Sequence, residues 1–402
     1  MNTAFSSRKE SEPSNAASHA RPKLLFVVTE DWFLRSHFMP LLKRARDDGW
    51  RVTIVARDSG VFSATDLGDD AAFVPAPFAR GSMNPWDIMR ERNFIRGVFE
   101  REQPDVVHAI ALRPILLTAL ADWGRAPTGR VFAVVGRGFI GAHRTLATRI
   151  VDEGLSRVLR RALRAPHAVL AVENAQDREW AERGESLPGE CVACMPGAGV
   201  CAEYFQSAPE PEDGPINVGV VGRLVRSKGV DVAVEAISRL RAEGLDINLH
   251  VAGKSDRENP QGARVDEIVR WRRTPGVRMR GRIADINRFW AGMHIACAPS
   301  RGGEGLPRSV LEAAACGRPV VATDTPGCRD FVEDGVNGRL IPPGDAAALA
   351  AALRGLAVDK STRQRFGAAA RATVMEGYTE RHAADVAAAA WGVAIQSADA
   401  SS

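Results

Sequence analysis

Short, nearly unbroken apolar runs alternate with longer stretches of helical period along this chain, and no other feature constrains its fold as strongly. "KLLFVV" (23–28) leads into "SHFMPLLKRARDDG", which reads as a helix stopped by Gly49. "WRVTIVA" (50–56), "PDVVHAIA" (104–111), "GRVFAVV" (129–135) and "PHAVLAVE" (166–173) continue the pattern. A run without polar alternation is a strand buried on both faces, and such strands with helices between them build parallel sheets. "QSAPEPEDGP" (206–215) then breaks the alternation with three prolines among acidic residues, and reads as a linker. After it the pattern restarts with "INVGVVG", "DINLHVAG", "HIACAPS" and "RPVVAT".

The expectation is an α/β chain of two Rossmann-like, doubly wound parallel-sheet domains facing a cleft. Its length of 402 residues exceeds what one hydrophobic core usually serves. The expected division is a polar, Ser/Ala-rich tail (1–21), a first domain (22–205) and a second (206–378). An Ala-rich helix (379–396) carrying Trp391 is expected to pack back across the first domain.

A net charge of +4 makes no demand for nucleic acid. No run of about 18 apolar residues occurs, and the first residues lack the apolar core of an export signal, so the expected location is cytoplasmic. "CVAC" (191–194) has metal-like spacing, but Cys201 adds only a third ligand, and small buried residues are the better reading.

In doubly wound sheets ligands sit at the carboxyl ends of strands, so the loops there carry the chemistry. After "INVGVV" comes "GRLVRSKGVD" (222–231), where Gly222, Arg223 and Lys228 precede a helix. Two cations beside a helix N-terminus suit a diphosphate, because backbone N–H groups and the helix dipole both favour an anion. After "IACAPS" comes "RGGEGLPRSVLEAAACG", where glycines at 302, 303 and 305 let backbone approach a ligand and Pro307 opens a helix. Glu304 lies in the loop and Glu312 about one and a half turns into the helix, so both carboxylates can border one cleft. Glu312 is surrounded by Val310, Leu311, Ala313, Ala314 and Ala315, and an acid there wants a partner.

Glu304 and Glu312 form an E-x7-E pattern that resembles the retaining glycosyltransferases of GT-B fold. With "GRLVRSKG", "EGLPRSVLEAAACGRPVVATDTPGCRDFVEDGVNGRLIPPGD" and the terminal "YTER", the second domain resembles glycosyltransferase family 4 almost throughout. The first domain matches more loosely, through "TEDWFLRSHFMPL", "PDVVHAIALRP" and "MPGAGVCAEYF", the members that build bacterial surface polysaccharides. The resemblance implies transfer of a sugar from a UDP- or GDP-type nucleotide-diphosphate sugar to a saccharide acceptor, which it makes polyprenyl-diphosphate-linked. It assigns the catalytic work to Arg223, Lys228 and Glu304: the cations hold the diphosphate and Glu304 meets the transferred sugar. Glu312 would hold the ribose; Gly222, Gly305, Leu306 and Pro307 would line the donor, and Arg282 and Ile283 in "RGRIAD" the nucleobase. No D-x-D occurs in the chain, so neither a metal nor another cofactor is expected. Members often carry V-H-x-H at a strand end. Here His108 matches the first histidine and Ile110 fills the second position, which leaves Arg113, His37 and His143 as alternatives for the first domain's sugar contact.

"VVGRGFIGAH" contains Gly136-x-Gly138-x-x-Gly141, formally a dinucleotide fingerprint, but the acid that should end the next strand about 20 residues on is missing. A nicotinamide oxidoreductase is therefore a rival reading, as is an inactive nucleotide-sugar-binding protein. "RTLATRIVDEGLSRVLRRALRA" (144–165) has a helical apolar period and six arginines against Asp152 and Glu153, which suits either a solvated basic face or peripheral contact with anionic lipid at the inner membrane face.

Overall fold

The computed structural model describes residues 21–399 apart from 63–66, 69, 80, 81, 83, 122–128, 136–156, 158, 159, 164–167, 185–188, 257, 258, 260, 303 and 304. Seven strands form the first sheet: β1 (Lys23–Glu30), β2 (Arg51–Arg57), β3 (Ala71–Pro75), β4 (Val106–Ile110), β5 (Gly129–Val134), β6 (Ala168–Val172) and β7 (Val192–Cys194). Their order is β3-β2-β1-β4-β5-β6-β7, parallel throughout. Six form the second: β8 (Ile216–Val221), β9 (Ile247–Ala252), β10 (Val277–Gly281), β11 (Ile295–Ala298), β12 (Val320–Thr323) and β13 (Gly338–Ile341), ordered β10-β9-β8-β11-β12-β13 and again parallel.

Alternation of side chains across a buried strand explains the apolar runs. Leu24, Phe26 and Val28 of β1 enter one core, while Leu25 and Val27 enter the core on the opposite face. In the second sheet Val321 of β12 faces one core, and Val320 and Ala322 the other. Gly219 of β8 is small because a Cβ there would stand 2.7 Å from the Trp290 ring.

The sequence predicts one helix after β1; the structure has two, Asp31–His37 and Met39–Asp47, with Phe38 between them and Pro40 in the first turn of the second. Pro40 cannot donate to the preceding turn, which is why the helix divides. The strands β3, β7, β10 and β13 lie outside the sequence reading; β3 and β10 are edge strands, and β7 and β13 are only 3 and 4 residues long. The expected burial of the CVAC cysteines and Cys201 is not met, since Cys191 and Cys201 are half-buried and Cys194 is exposed, while Cys297, Cys316 and Cys328 are buried.

The terminal helix Glu380–Asp399 lies on the first sheet, with Ala383, Ala387, Trp391 and Ala394 buried in its core. Trp391 meets Phe26 edge-on at 5.9 Å. Gly129 is required beneath this helix, since a Cβ would come within 2.8 Å of the Ala394 carbonyl. The chain thus crosses between domains twice, and the crossings bond to each other: Val200 N–H donates to Tyr378 O at 3.0 Å, and Glu380 N–H to Val200 O at 3.0 Å. Segment 206–215 is fastened to the second domain by buried Arg318, which donates to the carbonyls of Ala208 (2.8 Å) and Pro209 (3.2 Å), and by the buried pair Arg363–Glu210 at 3.0 Å.

Candidate active site

Each sheet reverses its strand order once, between β1 and β4 and between β8 and β11, and crevices open at such switch points. The loops after β8 and β11 are tied to each other there. Arg301 pairs with Asp231 through two 2.7 Å bonds, and its backbone N–H donates to Ser227 O at 2.7 Å. Gly229, at φ +65°, seals the joint, because a Cβ would lie 1.9 Å from the Pro299 carbonyl oxygen. Lys228 runs its stem across Gly222, where a Cβ would meet Lys228 Cε at 3.3 Å. Arg223 is exposed and pairs with Asp256 at 3.0 Å. The two cations therefore stand on one braced turn.

From the loop after β11, Leu306 and Gly305 are buried, and Pro307 occupies the cap position before the helix Arg308–Ala315. Glu304 and Gly303 lie outside the described residues. Glu312 pairs with Arg308 at 3.2 Å, the partner its surroundings demanded. Burial pushes Glu312 up to about 7, against the opposing pull of Arg308. Arg308 also reaches Glu380 at 3.2 Å and the Ser36 carbonyl of the first domain. This hub was missed in the sequence, although its spacing of four from Glu312 is the ion-pair spacing of a helix.

A carboxyl raised from 4.5 to about 7 favours the unfolded chain as pH climbs between those values, because only the unfolded form ionises freely. Glu312→Gln should match wild-type stability near pH 4.5 and exceed it at about pH 8 by on the order of 2–3 kcal/mol, read by urea unfolding at both pH values. Equal stabilities at pH 8 would contradict the burial account.

The first domain presents two further groups to this loop. Glu173, directly after β6, packs on Gly305 so closely that a Cβ there would lie 1.8 Å from its carboxyl oxygen. Burial pushes Glu173 up to about 8, with Asp177 adding. His37 ends the helix after β1, and burial followed by Arg308 lowers it to about 4.

Two expectations are corrected. His108 is wholly buried, and its Nδ1 accepts the Trp391 indole N–H at 3.1 Å, so it cannot reach a donor sugar. Arg113 makes two 2.9 Å bonds to buried Glu91 and another to the Ser82 carbonyl, which commits its guanidinium to the first domain's own structure. Arg282 is exposed on the turn after β10, while half-buried Ile283 packs against the core under the Arg308–Ala315 helix. His143 and the glycines at 136, 138 and 141 lie outside the described residues, as does most of the basic stretch; Arg160–Leu163 is helical, with Leu163 buried. Among the described residues no helix is long and apolar enough to cross a membrane.

Two switch-point crevices, one in each of two parallel-sheet domains, define the GT-B class. The match to solved structures agrees: sucrose-phosphate synthase from Thermosynechococcus elongatus aligns with TM-score 0.73 and 19% identity over 90% of this chain and 96% of its own. HepE of Anabaena, solved with UDP, aligns with TM-score 0.69 and 18% identity over 91% and 98%. More particularly, residues 215–359 match the family model described as Glycosyl transferases group 1, so the second domain is a domain of that family. A phosphatidyl-myo-inositol mannosyltransferase of Mycobacterium leprae is 34% identical over 201 residues, 48% of this chain and 50% of that protein. Against relatives from Streptomyces coelicolor and Staphylococcus aureus the chain spans 23% and 39% of their length.

Proposed function

We propose that the protein is a retaining glycosyltransferase that moves a sugar from a UDP- or GDP-type nucleotide sugar to a hydroxyl of a saccharide acceptor. The observation that carries this reading is the braced turn of Arg223 and Lys228, which together with Arg308, the ion-pair partner of Glu312, acts on His37 beyond the carboxyl end of β1. Breaking a sugar–phosphate bond builds charge on the diphosphate, and fixed cations beside a helix start stabilise that charge without a metal. Glu312, paired with Arg308, is assigned the ribose hydroxyls and Glu304 the transferred sugar, both on the E-x7-E motif. The names of relatives, a mannosyltransferase and a capsular polysaccharide glycosyltransferase among them, support surface-glycan synthesis. A lipid-linked acceptor at the inner membrane face, met by the basic stretch 144–165, completes the proposal.

The test is a mass-spectrometric screen of nucleotide sugars, with UDP, GDP and NADH titrated in parallel. The expected result is binding of one nucleotide diphosphate and turnover of its sugar. Binding without turnover would mark an inactive binding protein, and NADH binding alone would overturn the assignment. Glu312→Gln should weaken donor binding about tenfold while stabilising the fold, since a charged acceptor of ribose hydroxyls is worth about 1.5–3 kcal/mol.

A further inference from the structure

With His108 and Arg113 committed elsewhere, His37 is a described side chain of the first domain on which Arg308, Lys228 and Arg223 of the second all act. His37 lies at the carboxyl edge of β1, the switch strand, on the last turn of the helix Asp31–His37. Its ring packs on Phe33 at 4.7 Å and Phe38 at 6.1 Å. Nδ1 lies 2.6 Å from the Ser36 hydroxyl and 3.3 Å from the Phe33 carbonyl, so the local chain engages that nitrogen. Nε2 makes no hydrogen bond among the described residues and is the nitrogen left to meet another molecule. Arg308 grips the carbonyl of neighbouring Ser36, which draws the second domain's helix start up to the imidazole.

We propose that His37 is the first domain's contact with the donor diphosphate and gains a proton as the diphosphate enters the crevice. The inference rests on the nucleotide-sugar reading above. The groups facing His37 are Arg308 from the helix after β11, and Lys228 and Arg223 from the loop after β8. The nearby carboxylates are already engaged: Glu312 and Glu380 by Arg308, and Asp256 by Arg223. Burial first, then Arg308, with Lys228 and Arg223 adding, hold the imidazole neutral down to about pH 4, against the Phe33 carbonyl. A diphosphate between the cations reverses the local field, and an anion within about 4–6 Å raises a histidine by about 1–3 pH units. The proton comes from the buffer, settles on Nε2 and is donated in a charge-assisted hydrogen bond to a phosphate oxygen. It returns to solvent when the nucleotide diphosphate leaves.

The probes are UDP-glucose and GDP-mannose, whose diphosphate diesters lack the second phosphate ionisation that would obscure the count. Calorimetry of the full chain in buffers of different ionisation heat counts protons, and NMR of ¹³C-labelled histidine follows the ring. The resonance lost in His37→Gln identifies His37. The expected result is proton uptake at about pH 5–6 and a His37 midpoint raised by about 1–3 units in the complex. His37→Gln should abolish the uptake and weaken the probe about tenfold in that range, with little effect at about pH 9, where the ring is neutral either way. A bound probe with an unmoved His37 midpoint would overturn the inference alone. Uptake persisting in His37→Gln would put the proton on another group and overturn it equally. Failure of both probes to bind would remove the nucleotide-sugar reading and this inference together.

Discussion

Lys228→Ala is expected to lower kcat about 10²–10³-fold, roughly 3–4 kcal/mol, as the loss of one preorganised charge-stabilising group does in acyl-transfer sites. The magnitude follows from position. Lys228 stands at the end of a braced turn, with its stem laid over Gly222 and its loop locked to the loop after β11 by Arg301 and Asp231. In the proposed reaction little reorganisation is then needed when charge develops on the departing diphosphate. Lys228→Arg should recover only part of the rate, because a planar guanidinium cannot follow the ammonium's path across Gly222. Steady-state kinetics with the donor found by the screen decide the matter; a kcat within about twofold of wild type would remove Lys228 from the chemistry.

The second large effect is structural. Gly229→Ala forces a side chain into the left-handed region at φ +65° and drives its Cβ to within 1.9 Å of the Pro299 carbonyl oxygen. Backbone meets backbone there, so no rotamer change relieves the contact. The expected cost is about 3–4 kcal/mol, a fall of roughly 10 °C in melting temperature, and loss of donor binding beyond what instability explains. Gly244→Ala supplies the control. Its φ is +88°, but nothing lies within 4 Å of the added Cβ, so only the strain of about 1 kcal/mol should appear. Equal melting temperatures for the two variants would refute the proposed lock between the loops.

What was legible in the sequence follows the range of the forces involved. The central strands announce themselves because both faces are buried, as with Leu24 to Val28. β10, "VRMRG", reads as polar because it lies on an edge and exposes Arg278. Arg223, Lys228 and Glu312 could be singled out as candidates because local rules draw attention to them: a loop after a buried strand and an acid on an apolar helix. Partners remote in sequence left no such trace. Arg308 meets Ser36 across 272 positions, and His108 meets Trp391 across 283. The same distance misled the reading of His108, whose place at a strand end looks exposed until the terminal helix is folded over it.

The paired crossings at Val200 and Tyr378–Glu380 set how the two domains can move. Separate tethers at distant points would let them twist, slide and swing. Two tethers bonded side by side hold the halves at one place, so a hinge at that point is the expected way for them to open. Gly199 keeps that spine tight, since a Cβ there would come within 2.5 Å of the Thr379 carbonyl oxygen. If the halves open there, the donor entry and product release of the proposed reaction would follow a single angle, and one pair of distance probes across the crevice should track it.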